Sequence, residues 1–188
     1  MFVFKRAYSS KPEENKFTAY FKNNYELTTE QKEALIGIIL ADGFLERAKP
    51  THNTRLTVEQ TYPDQESYLL SIRDLFAPLI KMEPSIVSRK ADSRTGKVYK
   101  SILFKTLSFP CLNFYHDLFY LCKTKIVPSN IKDLLTPRGL AHIVMGDGFI
   151  YNGAIVICSE SFTKSEQELI VAALDSKFGI KATLNKRI

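Results

Sequence analysis

Two segments of the sequence, 105 positions apart, end in the same tripeptide, Asp-Gly-Phe. The first runs from Leu27 to Phe44 and the second from Leu135 to Phe149. Each opens with a threonine that can cap a helix and continues through an apolar run, so each predicts a helix that ends at its Asp-Gly pair. Such an internal repeat constrains the fold strongly, because it predicts two structurally related halves within one chain.

The sequence that follows each copy has the same predicted order of elements. Residues 55–62 and 155–162 alternate like half-buried strands, and helix starts follow at Pro63 and at Thr163. The other predicted elements are strands over 85–90, 98–106 and 181–186 and a helix over 111–121. The expected fold class is therefore α+β, with two pseudo-symmetric α-β-β-α-β-β-α units built on antiparallel sheets.

This reading divides the chain into a lead-in over residues 1–26, a first unit over 27–126 and a second unit over 127–188. Compared with the first copy, the second unit stops inside its third strand, so we expect it to be incomplete at its C-terminal end. Residues 1–10 are basic and contain no acidic side chain. That composition is typical of a mitochondrial import signal, although a disordered tail or an upstream read-through also explains it.

Composition excludes several classes of protein. The three cysteines show no CxxC spacing, which argues against a disulfide framework or a zinc ribbon. No run of about 18 uncharged apolar residues is present, which excludes a membrane-spanning helix. The net charge of +6 favours a polyanionic partner. Most of this charge is concentrated between Lys81 and Lys105, a segment that contains seven basic residues and two acidic ones.

The two repeated segments resemble the signature motif of the LAGLIDADG homing endonucleases, a family encoded mostly in organellar introns. The first copy matches at Leu35, Gly37, Ile39, Ala41, Asp42 and Gly43. The second copy matches at Leu140, Ala141, Asp147 and Gly148. It departs at His142, which stands where the first copy has Gly37. The resemblance implies that the two motif helices pack closely through small residues, between two saddle-shaped sheets.

The resemblance also implies a catalytic site. Asp42 and Asp147 are then the catalytic carboxylates, and together with Ala41 and Gly146 they are expected to bind Mg²⁺. Lys125 lies in a Lys-x-x-Pro segment before the second motif, where the family carries a candidate catalytic lysine, although a solvated linker lysine fits the same pattern. A simple helix-ending turn explains either Asp-Gly pair alone, but it does not explain two at matched positions.

The resemblance further implies that each sheet lies in the major groove of DNA. Alternation along the strands places one set of polar side chains on the side away from the helices. The predicted DNA-binding residues are Arg55, Thr57, Glu59, Arg89, Lys90, Arg94, Lys97, Tyr99, Ser101, Lys105, Ser159, Ser161, Lys181, Thr183, Asn185 and Arg187.

The implied function is that of a site-specific, Mg²⁺-dependent DNA endonuclease that makes a double-strand break and promotes intron homing. We expect a monomer that acts on double-stranded DNA, within the mitochondrion. Two alternatives stay open at this point. The chain could instead be a maturase that binds intron RNA and assists its splicing, or a relic that binds DNA without cutting it.

Overall fold

The computed structural model of the chain describes residues 17–185. Its α-helices are α1 (Ala19–Asn24), α2 (Thr29–Leu40), α3 (Glu66–Leu75), α4 (Asn113–Phe119), α5 (Ile131–Leu134), α6 (Pro137–Asp147) and α7 (Lys164–Phe178). Its strands are β1 (Phe44–Glu46), β2 (Arg55–Thr61), β3 (Ser85–Ser88), β4 (Lys100–Lys105), β5 (Tyr120–Leu121), β6 (Thr124–Lys125), β7 (Gly148–Tyr151) and β8 (Ala154–Ile157). Single 3₁₀ turns occur at Ala77–Leu79 and Pro110–Leu112. The α+β class and the antiparallel sheets are confirmed.

The first unit has the predicted α-β-β-α-β-β-α order. Its four strands form one antiparallel sheet in the order β1-β2-β4-β3. Leu56 and Val58 of β2 are fully buried, and so are Leu35 and Ile39 of α2. The hydrophobic core of the protein therefore lies between this sheet and the helices that cover one of its faces.

The helix starts follow the predicted capping chemistry. The Thr28 side chain accepts a hydrogen bond from the backbone N–H of Gln31, and the Gln31 side chain accepts one from the backbone N–H of Thr28. The pair forms a capping box at the start of α2. Thr163 and Glu166 form the same arrangement at α7. Satisfying the free N–H groups in this way stabilises a helix by about 1 kcal/mol per cap.

The second unit differs from its prediction after β8. The described part has the order α-β-β-α, in which β7 and β8 form a separate two-stranded sheet. The strand predicted over 155–162 ends at Ile157, and residues 181–185 form no strand, so that prediction is wrong over the described residues. A strand requires a partner for its backbone groups, and within residues 17–185 none pairs with the second edge of β8.

Smaller differences concern element ends. The predicted helix over 111–121 begins as a 3₁₀ turn and ends at Phe119, because Tyr120 adopts an extended backbone and enters β5. The predicted import signal over residues 1–10 lies outside the described residues. In the described part of the chain, none of the helices has the length and apolar character that crossing a membrane requires.

Candidate active site

The two motif helices, α2 and α6, pack with their backbones in contact. A Cβ atom placed on Gly37 would lie 2.0 Å from the carbonyl oxygen of Gly139. A Cβ atom on Gly146 would lie 2.8 Å from the Cβ of Ala41 and 3.3 Å from Oδ2 of Asp42. No side chain fits at either crossing without displacing backbone or a neighbouring residue. The predicted close approach of the two helices through small residues is therefore confirmed.

This packing brings the two motif aspartates into one electrostatic environment. Asp42 follows the last turn of α2, and Asp147 is the last residue of α6. Burial raises the pKa of Asp147 to about 6, and the nearby Asp42 adds to the increase. Lys125 acts in the opposite direction, while Glu160 contributes a smaller increase. A carboxylate whose ionisation is opposed by a second carboxylate nearby forms, with it, a natural site for a cation.

Asp42 is held by a residue that the sequence reasoning missed. The amide Nε2 of Gln60 donates a hydrogen bond to Oδ2 of Asp42 at 2.9 Å. Gln60 is only 7% exposed and lies on the same face of β2 as Leu56 and Val58. A polar residue in the apolar register of a strand was the available signal, because a buried amide requires a partner.

Lys125 supports the turn that carries Asp42. Its Nζ donates to the carbonyl oxygens of Ile39, Ala41 and Gly43 at 2.7, 2.9 and 2.9 Å. An ammonium group has three donors, and all three are engaged here. Burial lowers the pKa of Lys125, and the charges of Asp147 and Asp42 oppose that decrease. Its predicted action on water or phosphate stays a prediction, whereas its hold on the turn is direct.

The environment of Asp147 is different. No Gln or Lys side chain in residues 17–185 donates a hydrogen bond to its carboxylate. Its backbone oxygen accepts from the N–H of Cys158, at the end of the β7–β8 hairpin. The buried His142 of α6 contacts Tyr68, whose hydroxyl lies 3.1 Å from both the Nδ1 and the carbonyl oxygen of His142. The two aspartates thus occupy matched positions with unlike neighbours.

The polar face of the first sheet carries part of the predicted DNA-binding set in ion-paired form. Glu46 pairs with Arg55 and lies 3.7 Å from Lys105, while Glu59 pairs with Arg89. These salt bridges hold the cations on the surface of the sheet. Each acid is also a group that a phosphate would have to replace as a partner, so the pairs reduce the positive charge that this face presents to a polyanion.

Two residues predicted to face the groove are buried instead. Thr57 is 1% exposed and is flanked on the neighbouring strands by Phe44 and Lys105, whose larger side chains leave it no access to solvent. Ser101 is 7% exposed and donates its hydroxyl to Glu59. Alternation correctly identifies their face, but it does not show which small side chains their neighbours cover.

The other predicted DNA-binding residues of the first unit lie on an exposed hairpin. Asp92 closes its turn by accepting hydrogen bonds from the backbones of Arg94 and Thr95. The exposed predicted residues there are Arg89, Lys90, Arg94, Lys97 and Tyr99. In the second unit, the exposed or partly exposed predicted residues are Ser159, Ser161, Lys181, Thr183 and Asn185, and Arg187 lies outside the described residues.

The donor set at the aspartates fits a hard divalent cation. Within the described residues, no group of three or more His, Cys, Asp or Glu side chains could hold a metal ion. Two carboxylates with nearby backbone carbonyls match Mg²⁺, which binds proteins through one or two carboxylates and completes its shell with water and substrate phosphate. The Ala41 carbonyl already accepts from Lys125, which leaves it one lone pair for a cation.

Comparison with known proteins decides the family. Residues 32–188 match the model of the LAGLIDADG DNA endonuclease family. The chain belongs to this family. It is 31% identical over 164 residues to the cytochrome b mRNA maturase bI2 of Debaryomyces hansenii, a match that covers 87% of this chain and 62% of that protein. It is 30% identical to the DNA endonuclease I-ChuI of Chlamydomonas applanata over 86% of this chain and 78% of that one.

A solved structure shows the same fold. The homing endonuclease I-WcaI, bound to its DNA recognition sequence, superposes with a TM-score of 0.78 at 23% identity, over 87% of this chain and 74% of its own. The LAGLIDADG fold predicted from the motif repeat is therefore confirmed. This chain spans less than two thirds of the length of the Debaryomyces relative.

Proposed function

We propose that this chain is an endonuclease that hydrolyses one phosphodiester bond in each strand of a long duplex DNA site. The observation that carries the proposal is the shared environment of Asp42 and Asp147, in which one carboxylate opposes ionisation of the other. The exposed basic hairpin over 89–99 supports a polyanionic substrate. The relative named a DNA endonuclease and the neighbour solved with DNA support the same substrate class.

Asp42 and Asp147, with the carbonyls of Ala41 and Gly146, would hold Mg²⁺. Bound there, the metal would supply Lewis acidity, a more acidic water and charge neutralisation at the phosphate. The residues of the chain orient this site. Gln60 fixes the Asp42 carboxylate, and Lys125 fixes the turn that carries it. Burial beside the helix pair partly desolvates the Asp147 carboxylate, which strengthens its hold on a cation.

One chain supplies both carboxylates, so we propose that the protein acts as a monomer with units over 27–126 and 127–188. The first unit offers its sheet and basic hairpin to one half-site. The second unit offers the predicted Ser159, Ser161, Lys181, Thr183, Asn185 and Arg187 to the other. Base contacts from these strands set the target sequence, while the lysines and arginines supply most of the affinity.

The test is cleavage of intronless host-gene DNA with Mg²⁺, comparing the parent chain with the double variant Asp42→Asn/Asp147→Asn. We expect the parent to make a double-strand break and the double variant to bind the same DNA without cutting it. A double variant that cuts at the parent rate would remove the active-site assignment. A parent that binds but does not cut at any divalent metal concentration would favour the non-catalytic relic.

A second candidate function is intron RNA maturation. It is favoured by the 31% identity to a protein named a cytochrome b mRNA maturase. That name also supports an organellar compartment for this chain. Splicing of the transcript that contains the intron, measured with and without the protein in parallel with DNA cleavage, separates the two functions. Cleavage without any effect on splicing excludes the maturase function. If the double aspartate variant still assists splicing, the splicing function belongs to a surface other than the aspartate site.

A further inference from the structure

A cavity of about 840 Å³ lies at one end of the first sheet, away from the aspartates. Three separate segments contribute to its lining together with the ends of β1 and β2: α1, the loop that joins β1 to β2, and the turn of the β5–β6 hairpin. Neither Asp42 nor Asp147 lines it. The metal site therefore does not account for this cavity.

The lining is strongly cationic. It contains Lys22, Arg47, Arg55 and Lys123, and its single carboxylate is Glu46. The two arginines are already committed. Arg47 pairs with Asp117 and binds the carbonyl oxygen of Asn113, and Arg55 pairs with Glu46.

The two lysines are not committed in this way. Within residues 17–185, neither Lys22 nor Lys123 forms an ion pair, and Lys22 lies 5.8 Å from the centre of the Phe109 ring. These two ammonium groups are the cations that the cavity offers to a ligand.

Lys123 is placed there at a conformational cost. It forms the tip of the β5–β6 hairpin together with Cys122, and both have positive φ, 69° and 48°. Such two-residue turns normally use Asn or Gly, because other side chains are strained in that region. The base of the same hairpin is fixed by Lys125 on the Asp42 turn and by Tyr120, whose hydroxyl accepts from the N–H of Leu45. A hairpin fixed at its base thus presents a lysine in a strained turn to the cavity.

The cavity is continuous with the polar face of the sheet. Glu46 and Arg55 are directly paired residues of β1 and β2, and both also line the cavity. Lys105, on the same polar face, reaches the same Glu46. A single duplex that lies on this face can therefore also reach the mouth of the cavity.

We propose that this cavity binds backbone phosphates of the DNA that flanks the cleaved site, with Lys22 and Lys123 as the contacting cations. The proposal rests on the proposed DNA-binding function and adds a subsite beyond the sheet. Phosphate contacts of this kind add affinity and fix register, and they add no sequence preference. The bound flank extends the footprint of the first half outward from its sheet.

The test uses two duplexes: the shortest one that the parent still cuts at its full rate, and the same duplex extended by one helical turn at each end. Binding is measured across a salt series for the parent, for Lys22→Ala/Lys123→Ala and for the charge-matched control Lys32→Ala/Lys132→Ala. Both control lysines are exposed and lie outside the cavity. Urea midpoints equal to that of the parent verify folding of each variant.

On the extended duplex we expect the log–log salt slope of the cavity variant to fall by about 1.8, roughly 0.9 for each lost phosphate contact. On the short duplex we expect no change, and the control should match the parent on both. An unchanged slope on the extended duplex, or an equal loss on the two duplexes, overturns the proposal.

Two further outcomes separate this proposal from the one on which it rests. Loss of binding to the host transcript with unchanged DNA slopes assigns the cavity to RNA and overturns it. A parent that cuts no host-gene duplex, so that no shortest substrate can be defined, refutes the proposed function as well. A parent that cuts both duplexes while the cavity variant keeps the parent's salt slope refutes the cavity alone.

Discussion

The β1–β2 and β7–β8 hairpins follow the two motif aspartates at matched positions, yet they end in opposite environments. In the first hairpin, Leu45 and Leu56 are directly paired and are 3% and 0% exposed. In the second, Ile150 and Ile155 are directly paired and are 80% and 65% exposed. The side chains are similar, and in both hairpins the first member of the pair lies three positions after the motif aspartate. The difference is that β4 and α4 pack on the first hairpin, whereas no described residue of the second unit plays their part.

This comparison shows that matched positions in a repeat can contribute differently to the stability of the fold. Burial of an apolar strand pair stabilises the fold only when later segments of the chain cover it. The two motif aspartates differ in the same sense. Asp42 is fixed by Gln60 and by the turn that Lys125 holds, whereas burial beside a second carboxylate raises the pKa of Asp147. In the first unit, both the hairpin and the motif aspartate are thus held by more contacts than in the second.

The largest effect is expected where the two halves meet. Replacing Gly37 by Leu places a side chain against the backbone of Gly139, and no rotamer relieves a 2.0 Å contact that begins at Cβ. We expect a loss of at least about 4 kcal/mol of unfolding free energy, or failure to fold. Urea unfolding measures it, with Ala141→Leu on the exposed side of α6 as the control. A variant within about 1 kcal/mol of the parent would contradict the close packing.

The two hairpins can be compared directly by truncating matched residues. Leu45→Ala leaves a cavity in the core and should cost about 3 kcal/mol. Ile150→Ala removes a side chain that is mostly in solvent and should change stability by less than about 0.5 kcal/mol. Urea midpoints of both variants test the difference. Equal losses would mean that the second hairpin is covered in solution.

The two aspartates can be compared by removing the amide that holds one of them. Gln60→Met keeps the volume of the side chain but removes the donor to Asp42. We expect cutting of one DNA strand to slow by about 10- to 100-fold, the range seen when a residue orienting a metal ligand is lost, with little change on the other strand. Each strand is followed by its own end label. Equal slowing of both strands would show that Gln60 does not act through Asp42 alone.

A smaller effect should appear in the pH dependence of stability. The folded pKa of Asp147, about 6, lies above its ordinary value of 3.8, so the folded state binds this proton more tightly than the unfolded state. That contribution is fully present below pH 4 and is lost as the pH rises to 6. Asp147→Asn mimics the protonated form. In metal-free buffer it should be stabilising by about 1–2 kcal/mol at pH 8, after allowance for solvent screening, and neutral at pH 4.

Urea unfolding of Asp147→Asn and of the parent at both pH values, with a chelator present, measures this effect. A constant difference between the two proteins would mean that the Asp147 carboxyl titrates as it does in the unfolded chain. Added Mg²⁺ should reverse the order at pH 8, because the metal stabilises the ionised parent and has lost a ligand in the variant.

The features of the fold that the sequence predicted are those that depend on residues close together in the chain. Threonine caps at Thr28 and Thr163 and the small residues of the motif act within a few positions, so their patterns lead directly to structure. The strand predicted over 181–186 failed because alternation describes only a strand's faces, whereas its existence depends on a neighbour that pairs with it. The buried Thr57 shows the same limit, since its cover comes from two other strands.

The candidate site divides in the same way. The matched Asp-Gly pairs indicated Asp42 and Asp147, because a repeat carries its own internal comparison. Gln60 was missed, although a polar residue in the apolar register of β2 indicated a buried partner. The hydrogen bonds of Lys125 to the Asp42 turn could not be predicted, because they join residues more than 80 positions apart that meet only in the folded chain.

The central claim is that each motif aspartate is required for a double-strand break and that neither is required for DNA binding. The most direct measurement follows both strands of one end-labelled duplex with Asp42→Asn and with Asp147→Asn, each alone, and measures binding to the same duplex. We expect both variants to bind with affinity close to that of the parent and neither to complete a double-strand break. A single variant that makes the double-strand break at the parent rate would contradict it.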